Sequence, residues 1–256
     1  MEYHDPRIAA IYELANPLGR DAEFYLSLAG LRPSSILDLG CGTGTLCCAL
    51  ASRGHQVTGV DPAGAVLDVA RTKACSEQVE WIESSVQSYI SSRRFDLIVM
   101  TGHAFQALLS DADALAVLKT ARGHLKDRGR IAFETRNPAI DWAAEWSARP
   151  PRMLSGGTII ETLEITSAKG EFVSFRTLYQ FPHESLTTHS TLRFPSRQQV
   201  ESLVARSGLA VRQVFGDWDG SSFEQTGSRE IIFVAEIADE ASRIRGCSHS
   251  LRKGLN

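Results

Sequence analysis

Apolar positions alternate between two rhythms from residue 35 to 135. Short runs rich in β-branched and aromatic residues occur at 35–39 (SILDL), 56–60 (QVTGV), 79–82 (VEWI), 95–100 (FDLIVM) and 130–135 (RIAFET). Between them, apolar residues recur every three or four positions. In 43–54 (TGTLCCALASRG), Leu46, Ala49 and Leu50 share a helical face that stops at Gly54. The stretches 63–74 and 111–125 follow the same rule, with Asp111 placed to cap the second and Leu115, Leu118 and Ala121 facing inward. Strand, helix, strand, repeated, predicts a parallel sheet covered by helices on both faces.

Outside this block the rhythm changes. Residues 5–30 predict a helical segment. Residues 158–166, 171–181 and 189–194 alternate at period two, with Val173, Phe175, Tyr179 and Phe181 on one face and a hairpin turn at SAKGE. Residues 196–207 open with a serine N-cap and predict a helix, and LAVRQVF and REIIFVAEI predict the last two strands. The expected organisation is an N-terminal helical lid at 1–33, an α/β domain at 34–139 and 196–237, a small antiparallel β insertion at 140–195 and a disordered basic tail at 238–256. The fold class is a doubly wound, Rossmann-like sheet of about seven strands.

Composition narrows the function classes. A net charge of −3 supplies no basic field for nucleic acid or an anionic membrane. The first residues carry no signal-peptide pattern and no apolar run is long enough to span a bilayer, so a cytoplasmic protein is expected. The five cysteines form no C-x-x-C pair, which predicts reduced thiols, with Cys47 and Cys48 as small core residues.

The chemistry concentrates in ILDLGCGTGTL, 36–46. A glycine-rich turn after the first strand is where open α/β sheets bind ligands. A phosphate-binding P-loop needs Lys-Ser or Lys-Thr after its last glycine, and here Gly44 precedes Thr45 and Leu46. A dinucleotide fingerprint needs G-x-G-x-x-G, and the spacing is G-x-G-x-G. Asp38, at the strand end, suits an ammonium group better than a pyrophosphate.

LDLGCGTG resembles motif I of the class I S-adenosylmethionine-dependent methyltransferases. Its downstream partner is Asp61 in VTGVDPAG. The resemblance runs over about 34–137 and, more weakly, 196–237. It implies S-adenosyl-L-methionine as cofactor, held by Asp38, Gly40, Cys41, Gly42, Gly44, Asp61 and Pro62. The carboxylate of Asp61 would accept from both ribose hydroxyls. Many relatives place an acidic residue near the adenine after the third strand. Here IESSVQSY offers Ser84, Ser85 or the backbone of Val86 instead. Thr101 and Gly102, after the fourth strand, are expected near the cofactor, and Tyr12 closes over it from the lid.

The methyl acceptor is read from the carboxyl edge of the sheet. After the fourth strand, MTGHAFQAL carries neither the Asn/Asp-Pro-Pro-aromatic run of family members that act on nucleobases or glutamine nor a set of metal-binding carboxylates. His103 is the candidate base. Phe105, Arg136, Trp142 and Trp218 are candidate acceptor contacts, with Arg136 either holding an acidic substrate or pairing with Glu134. The expected reaction is methyl transfer to an amine or hydroxyl of a small molecule. The alternatives are an RNA-modifying methyltransferase and a non-catalytic cofactor-binding sensor or partner protein. The aromatic insertion suits a roof over the pocket or a homodimer contact, and no metal or nucleic acid is expected.

Overall fold

A computed structural model describes residues 4–239. Its main sheet has seven strands in the order β10-β11-β5-β4-β1-β2-β3. The strands are β1 (Ser35–Leu39), β2 (Gln56–Asp61), β3 (Val79–Glu83), β4 (Phe95–Met100), β5 (Leu125–Arg136), β10 (Leu209–Phe215) and β11 (Glu230–Ile237). All pairings are parallel except those of β11, which runs antiparallel to β5 and to β10. The ends of β1–β5 and β10 and the start of β11 therefore share one edge.

Continuous apolar runs form the central strands because both faces are covered. Leu37, Leu39, Ile98, Met100, Ile131 and Phe133 pack on one face against α5 (Asp111–His124) and α7 (Arg197–Arg206). Ile36, Val99, Ala132, Ile232 and Val234 pack on the other against α2 (Arg20–Ala29) and α3 (Thr45–Ala51). α4 (Gly64–Arg71) lies beside β2 and β3.

The N-terminal segment is two helices rather than one, α1 (Pro6–Ala15) and α2. The break falls at Asn16, because Pro17 disfavours helical backbone in the residue before it and lacks an N–H. α5 is capped by Ser110, whose hydroxyl accepts from the Asp113 amide, and not by Asp111. Asp111 instead pairs with Arg193 and Arg206. Leu115 is only half buried; Ala114, Val117, Leu118 and Ala121 form the inward face. Ser196 does cap α7, in a capping box with Gln199.

The expectation of reduced thiols is overturned at one pair: Cys48 and Cys75 form a disulfide, their Cα atoms 5.5 Å apart. α3 and the turn after α4 converge there, which no sequence spacing announces. Cys41 and Cys47 are free and buried.

A second, four-stranded antiparallel sheet follows α6 (Trp142–Ser147), in the order β6 (Arg152–Leu154), β7 (Ile159–Lys169), β8 (Phe172–Gln180), β9 (Ser185–Arg193). Its short first strand was not anticipated. Along β8, Val173 and Phe175 pack with Trp142, Trp146 and Phe194. Tyr179 and Phe181 pack with Ile8 and Ile11 of α1. α1 is thus clasped between this sheet and α4, whose Val66 meets Ala9. Arg7 pairs with Glu184 at 2.7 Å, and Arg152 donates to the Ala15 carbonyl. The expected tail, 238–256, lies outside the described residues apart from Ala238 and Asp239. No helix among the described residues is long and apolar enough to cross a membrane.

Candidate functional site

The glycine loop is tied to the neighbouring strand by its backbone. The amides of Gly40 and Cys41 both donate to the Val60 carbonyl, at 2.8 and 3.1 Å. Gly44 starts α3 in a left-handed conformation, φ 71°. A Cβ there would come within 2.2 Å of the Trp81 ring, so the loop is pressed against β3 too closely for any side chain.

Asp61 ends β2 and points back into this loop. One carboxylate oxygen accepts from the Gly42 amide and the other from Ala63, both at 2.9 Å. Burial pushes its pKa up, and the two N–H bonds oppose that. Each oxygen keeps acceptor capacity for another donor. Asp38 is only 1% exposed. One of its oxygens accepts from the Cys47 thiol at 3.3 Å, and the other is buried with no partner. Burial, against the Cys47 bond and with the charges of Asp61 and Glu134, pushes its pKa up to about 7. A buried carboxylate oxygen without a donor, among other acids, suits a cation.

Tyr12 of α1 spans the loop and the end of β4. A methyl added at Gly42 would lie 3.8 Å from its ring, and one at Gly102 would lie 3.3 Å from its hydroxyl. The helix is latched by Lys73, which pairs with Glu13 at 2.8 Å and donates to Thr45 at 2.6 Å. Beyond β3, the Ser84 amide donates to the Asp61 carbonyl, and the Ser85 hydroxyl accepts from the Ser88 amide. Val86 is half buried against the core. Pro62 is half buried between Asp61 and Ala63, and Thr101 is half buried at the end of β4.

The other half of the edge is built from side chains. His103 follows Gly102 in a left-handed conformation, φ 60°, rare for a residue with a side chain. Its amide donates to Glu134 at 2.7 Å, and its ring nitrogen Nε2 meets Glu230 at 2.9 Å. Glu134 is buried and also accepts from the Tyr25 hydroxyl. Burial raises the Glu134 pKa, against the pull of His103 and Tyr25. The Trp218 ring lies 6.4 Å from His103 and 6.1 Å from Tyr25, edge-on or tilted.

Arg136 does not pair with Glu134. Glu134 is taken by Tyr25 and His103, whereas the Arg136 guanidinium donates to Gln106 at 2.9 Å and lies over the rings of Trp142 and Trp146. Trp142 is itself buried, donating to the Asn137 carbonyl. Phe105 is buried in the core, 4.6 Å from Phe133. Tyr25 and Glu230 stand in this cluster although neither was expected as a site residue, and Gln106, a candidate wall of the cofactor site together with Phe105, holds Arg136 instead. Glu134 had been placed at the edge only as a partner for Arg136. Glu230, a charge opening a strand that stays apolar until Glu236, was the one available signal.

A groove of about 930 Å³, lined by Ser35, Gln56, Glu80, Arg94, Asp96 and Lys126, opens at the opposite, amino-terminal edge of the sheet. The converging buried acids and the glycine loop stand at the carboxyl edge instead, where open α/β sheets bind ligands. Among the described residues no group of His, Cys, Asp and Glu could hold a metal ion.

Residues 36–129 match a family model described as a methyltransferase domain. The chain is 26% identical, over 91% of its length and 97% of its relative's, to a cypemycin N-terminal methyltransferase from a Streptomyces species. It is 36% identical to a ubiquinone biosynthesis O-methyltransferase of Idiomarina loihiensis, over 42% of this chain and 44% of that one. The chain thus matches less than half the length of that O-methyltransferase. In three dimensions it is similar to an S-adenosylmethionine-dependent methyltransferase from Clostridium acetobutylicum, with a TM-score of 0.75 and 16% identity over 91% of this chain and 98% of that one. Residues 36–129 are thus a methyltransferase domain, and the whole chain is an enzyme whose fold is similar to that of S-adenosylmethionine-dependent methyltransferases.

Proposed function

We propose that the enzyme methylates an amine nitrogen of a small molecule. The observation that carries this reading is the acidity of the carboxyl edge. Asp38, Asp61, Glu134 and Glu230 converge there, and His103 is the titratable base set among them. Such an edge favours two cations, the sulfonium cofactor and a protonated amine. The similarity over nearly the whole chain is to a protein whose name specifies an N-terminal methyltransferase. The similarity to the O-methyltransferase extends over less than half of the chain.

In this reading the partnerless oxygen of Asp38 receives the cofactor's ammonium group. Asp61 receives the ribose hydroxyls on its remaining lone pairs, the glycine loop cups the amino-acid arm, and Ser84, Ser85 and Val86 flank the adenine. Bound there, S-adenosylmethionine supplies an electrophilic methyl carbon. Tyr12 excludes water from above the loop.

An amine arrives protonated at neutral pH and must lose a proton to become a nucleophile. His103 accepts that proton on the ring nitrogen not facing Glu230, and Glu230 stabilises the imidazolium across 2.9 Å. The nitrogen so freed would be the nucleophile for the methyl group that the bound cofactor would supply. Trp218 walls the acceptor, with its ring beside His103 to attract a cation.

Calorimetry with S-adenosylhomocysteine tests the cofactor half. Transfer of labelled methyl to matched amines and alcohols tests the acceptor half. The expected result is tight product binding and label on nitrogen. Label found only on hydroxyl groups overturns the choice of acceptor. Binding with no transfer to any member of the panel supports a sensor.

A further inference from the structure

Arg136 ends β5 at the carboxyl edge and is half buried, yet no carboxylate among the described residues lies within ion-pair distance of it. Glu230 sits opposite it in the β11–β5 register, and Glu134 lies two residues before it. Both are committed elsewhere, Glu230 to His103 and Glu134 to His103 and Tyr25. What holds the guanidinium is neutral. The amide oxygen of Gln106 accepts from Nη1 at 2.9 Å, and the rings of Trp146 and Trp142 lie 5.2 and 5.6 Å from the guanidinium carbon.

That frame is itself rigid. Gln106 is fully buried and donates to the Arg193 carbonyl at 2.8 Å, and Trp142 is pinned by its bond to the Asn137 carbonyl. Two further arginines stand on the same rings. Arg229 lies 4.8 Å over Trp142 and is paired with Glu145. Arg149 lies 5.8 Å over Trp146, again with no carboxylate in ion-pair range. Burial lowers the Arg136 pKa; the charges of Glu230 and Glu134, both committed elsewhere, oppose this, and Arg149 and Arg229 add to it.

Holding a guanidinium in this setting without an anion is unfavourable, and a packing role would be met by an apolar side chain. Its unpartnered N–H groups are not sealed in protein, since none of them is among the buried atoms without a partner. They open onto accessible space. An orientation fixed by two flanking rings and one hydrogen bond, with free N–H groups, suits bidentate capture of a planar or tetrahedral oxyanion.

We propose that Arg136, in its frame of Gln106, Trp142 and Trp146, is the subsite for an oxyanion carried by the methyl acceptor, a carboxylate or a phosphate, so that the enzyme selects amines bearing a negative group. The proposal rests on the amine-methyltransferase reading above. Acidic residues at the His103 end receive the amine, and the arginine end receives the anion. One acceptor therefore meets two opposite charges along the same edge.

The test has a binding arm and a turnover arm. Enzyme saturated with S-adenosylhomocysteine is titrated with citrate and with inorganic pyrophosphate at constant ionic strength, and tryptophan fluorescence is followed. A saturable response is expected because two indoles touch the guanidinium. Arg136→Gln should weaken it at least tenfold, whereas Arg197→Gln, at an exposed arginine paired with Glu201, should not. Turnover is then compared in matched pairs: dipeptides against their C-terminal amides, and amino-sugar phosphates against the free amino sugars. The charged member should be favoured at least tenfold in kcat/KM, chiefly through KM, and Arg136→Gln should erase that preference. Preference within the peptide pairs assigns a carboxylate, and preference within the sugar pairs assigns a phosphate. A linear fluorescence response in the wild type overturns the proposal, as does preference for neutral amines or an equal loss on both members of each pair. Failure of the wild type to bind S-adenosylhomocysteine would instead refute the cofactor reading.

Discussion

The two halves of the carboxyl edge are built in different ways. On the β1–β2 side, backbone meets residues close in sequence: Gly42 bonds Asp61 across 19 positions and Ala63 bonds it across two. On the β4–β5–β11 side, side chains meet across the whole chain. His103 reaches Glu230 over 127 positions, Tyr25 reaches Glu134 over 109, and Gln106 reaches Arg193 over 87. A main-chain cradle tolerates little change in backbone but much in its neighbours. A cradle of side chains can be rebuilt for a new acceptor without disturbing the sheet. The ubiquinone biosynthesis O-methyltransferase matches less than half of the chain, and the cypemycin N-terminal methyltransferase nearly all of it.

The largest effect should come from the backbone side. Gly44→Ala places a methyl 2.2 Å from Trp81 at φ 71°, so S-adenosylhomocysteine affinity should fall more than about 100-fold. Circular dichroism will show whether the fold survives. Binding within tenfold of wild type would mean that the loop is not the rigid element. On the other side, His103→Gln should lower kcat by roughly 10²–10³ with little change in product affinity. A matched fall in affinity would show that the two halves are not separable.

Asp61→Ala should weaken binding by about 1.5–3 kcal/mol, because a charged hydrogen-bond partner is lost. Unchanged affinity would remove it as the ribose ligand.

Asp38 predicts a pH dependence. Its folded pKa, about 7, is raised above the unfolded value of about 3.9. The folded protein therefore holds a proton that the unfolded chain releases. Without ligand, stability from this group is full below about pH 4 and is lost as pH rises to about 7. The cofactor's ammonium group favours the ionised carboxylate. Affinity should thus rise up to tenfold per pH unit between about 5 and 7 and then level off. Asp38→Asn should flatten that profile.

The smallest effect at the site should come from the disulfide. It closes a loop of 27 positions, so Cys48→Ser should cost about 3 kcal/mol of stability, read by urea unfolding, while product affinity stays within about twofold.

The legibility of the chain divides along the same line. Strand runs such as 35–39 and 95–100 coincide with β1 and β4, because a strand buried on both faces must be apolar throughout. The glycine spacing and its aspartates were legible because their contacts are short in sequence. Pro17 broke a helix that periodicity had joined, and Ser110 took the cap assigned to Asp111, one position away. The pairing of Arg136 with Glu134 failed because both stand on one strand, and proximity in sequence says nothing of what arrives from α2 and β11. Cys48 and Cys75 met for a similar reason, on elements whose approach no spacing encodes.

By itself, then, the order of residues determined the alternating layers, the glycine turn and the acids that flank it. These follow from periodicity and from groups near each other along the chain. Only the tertiary structure decided which charges meet. It gave His103 its Glu230 and Glu134 its Tyr25, and it left Arg136 among rings and an amide. Coulomb and hydrogen-bond energies depend on distance through space, and that distance exists only after the sheet has closed.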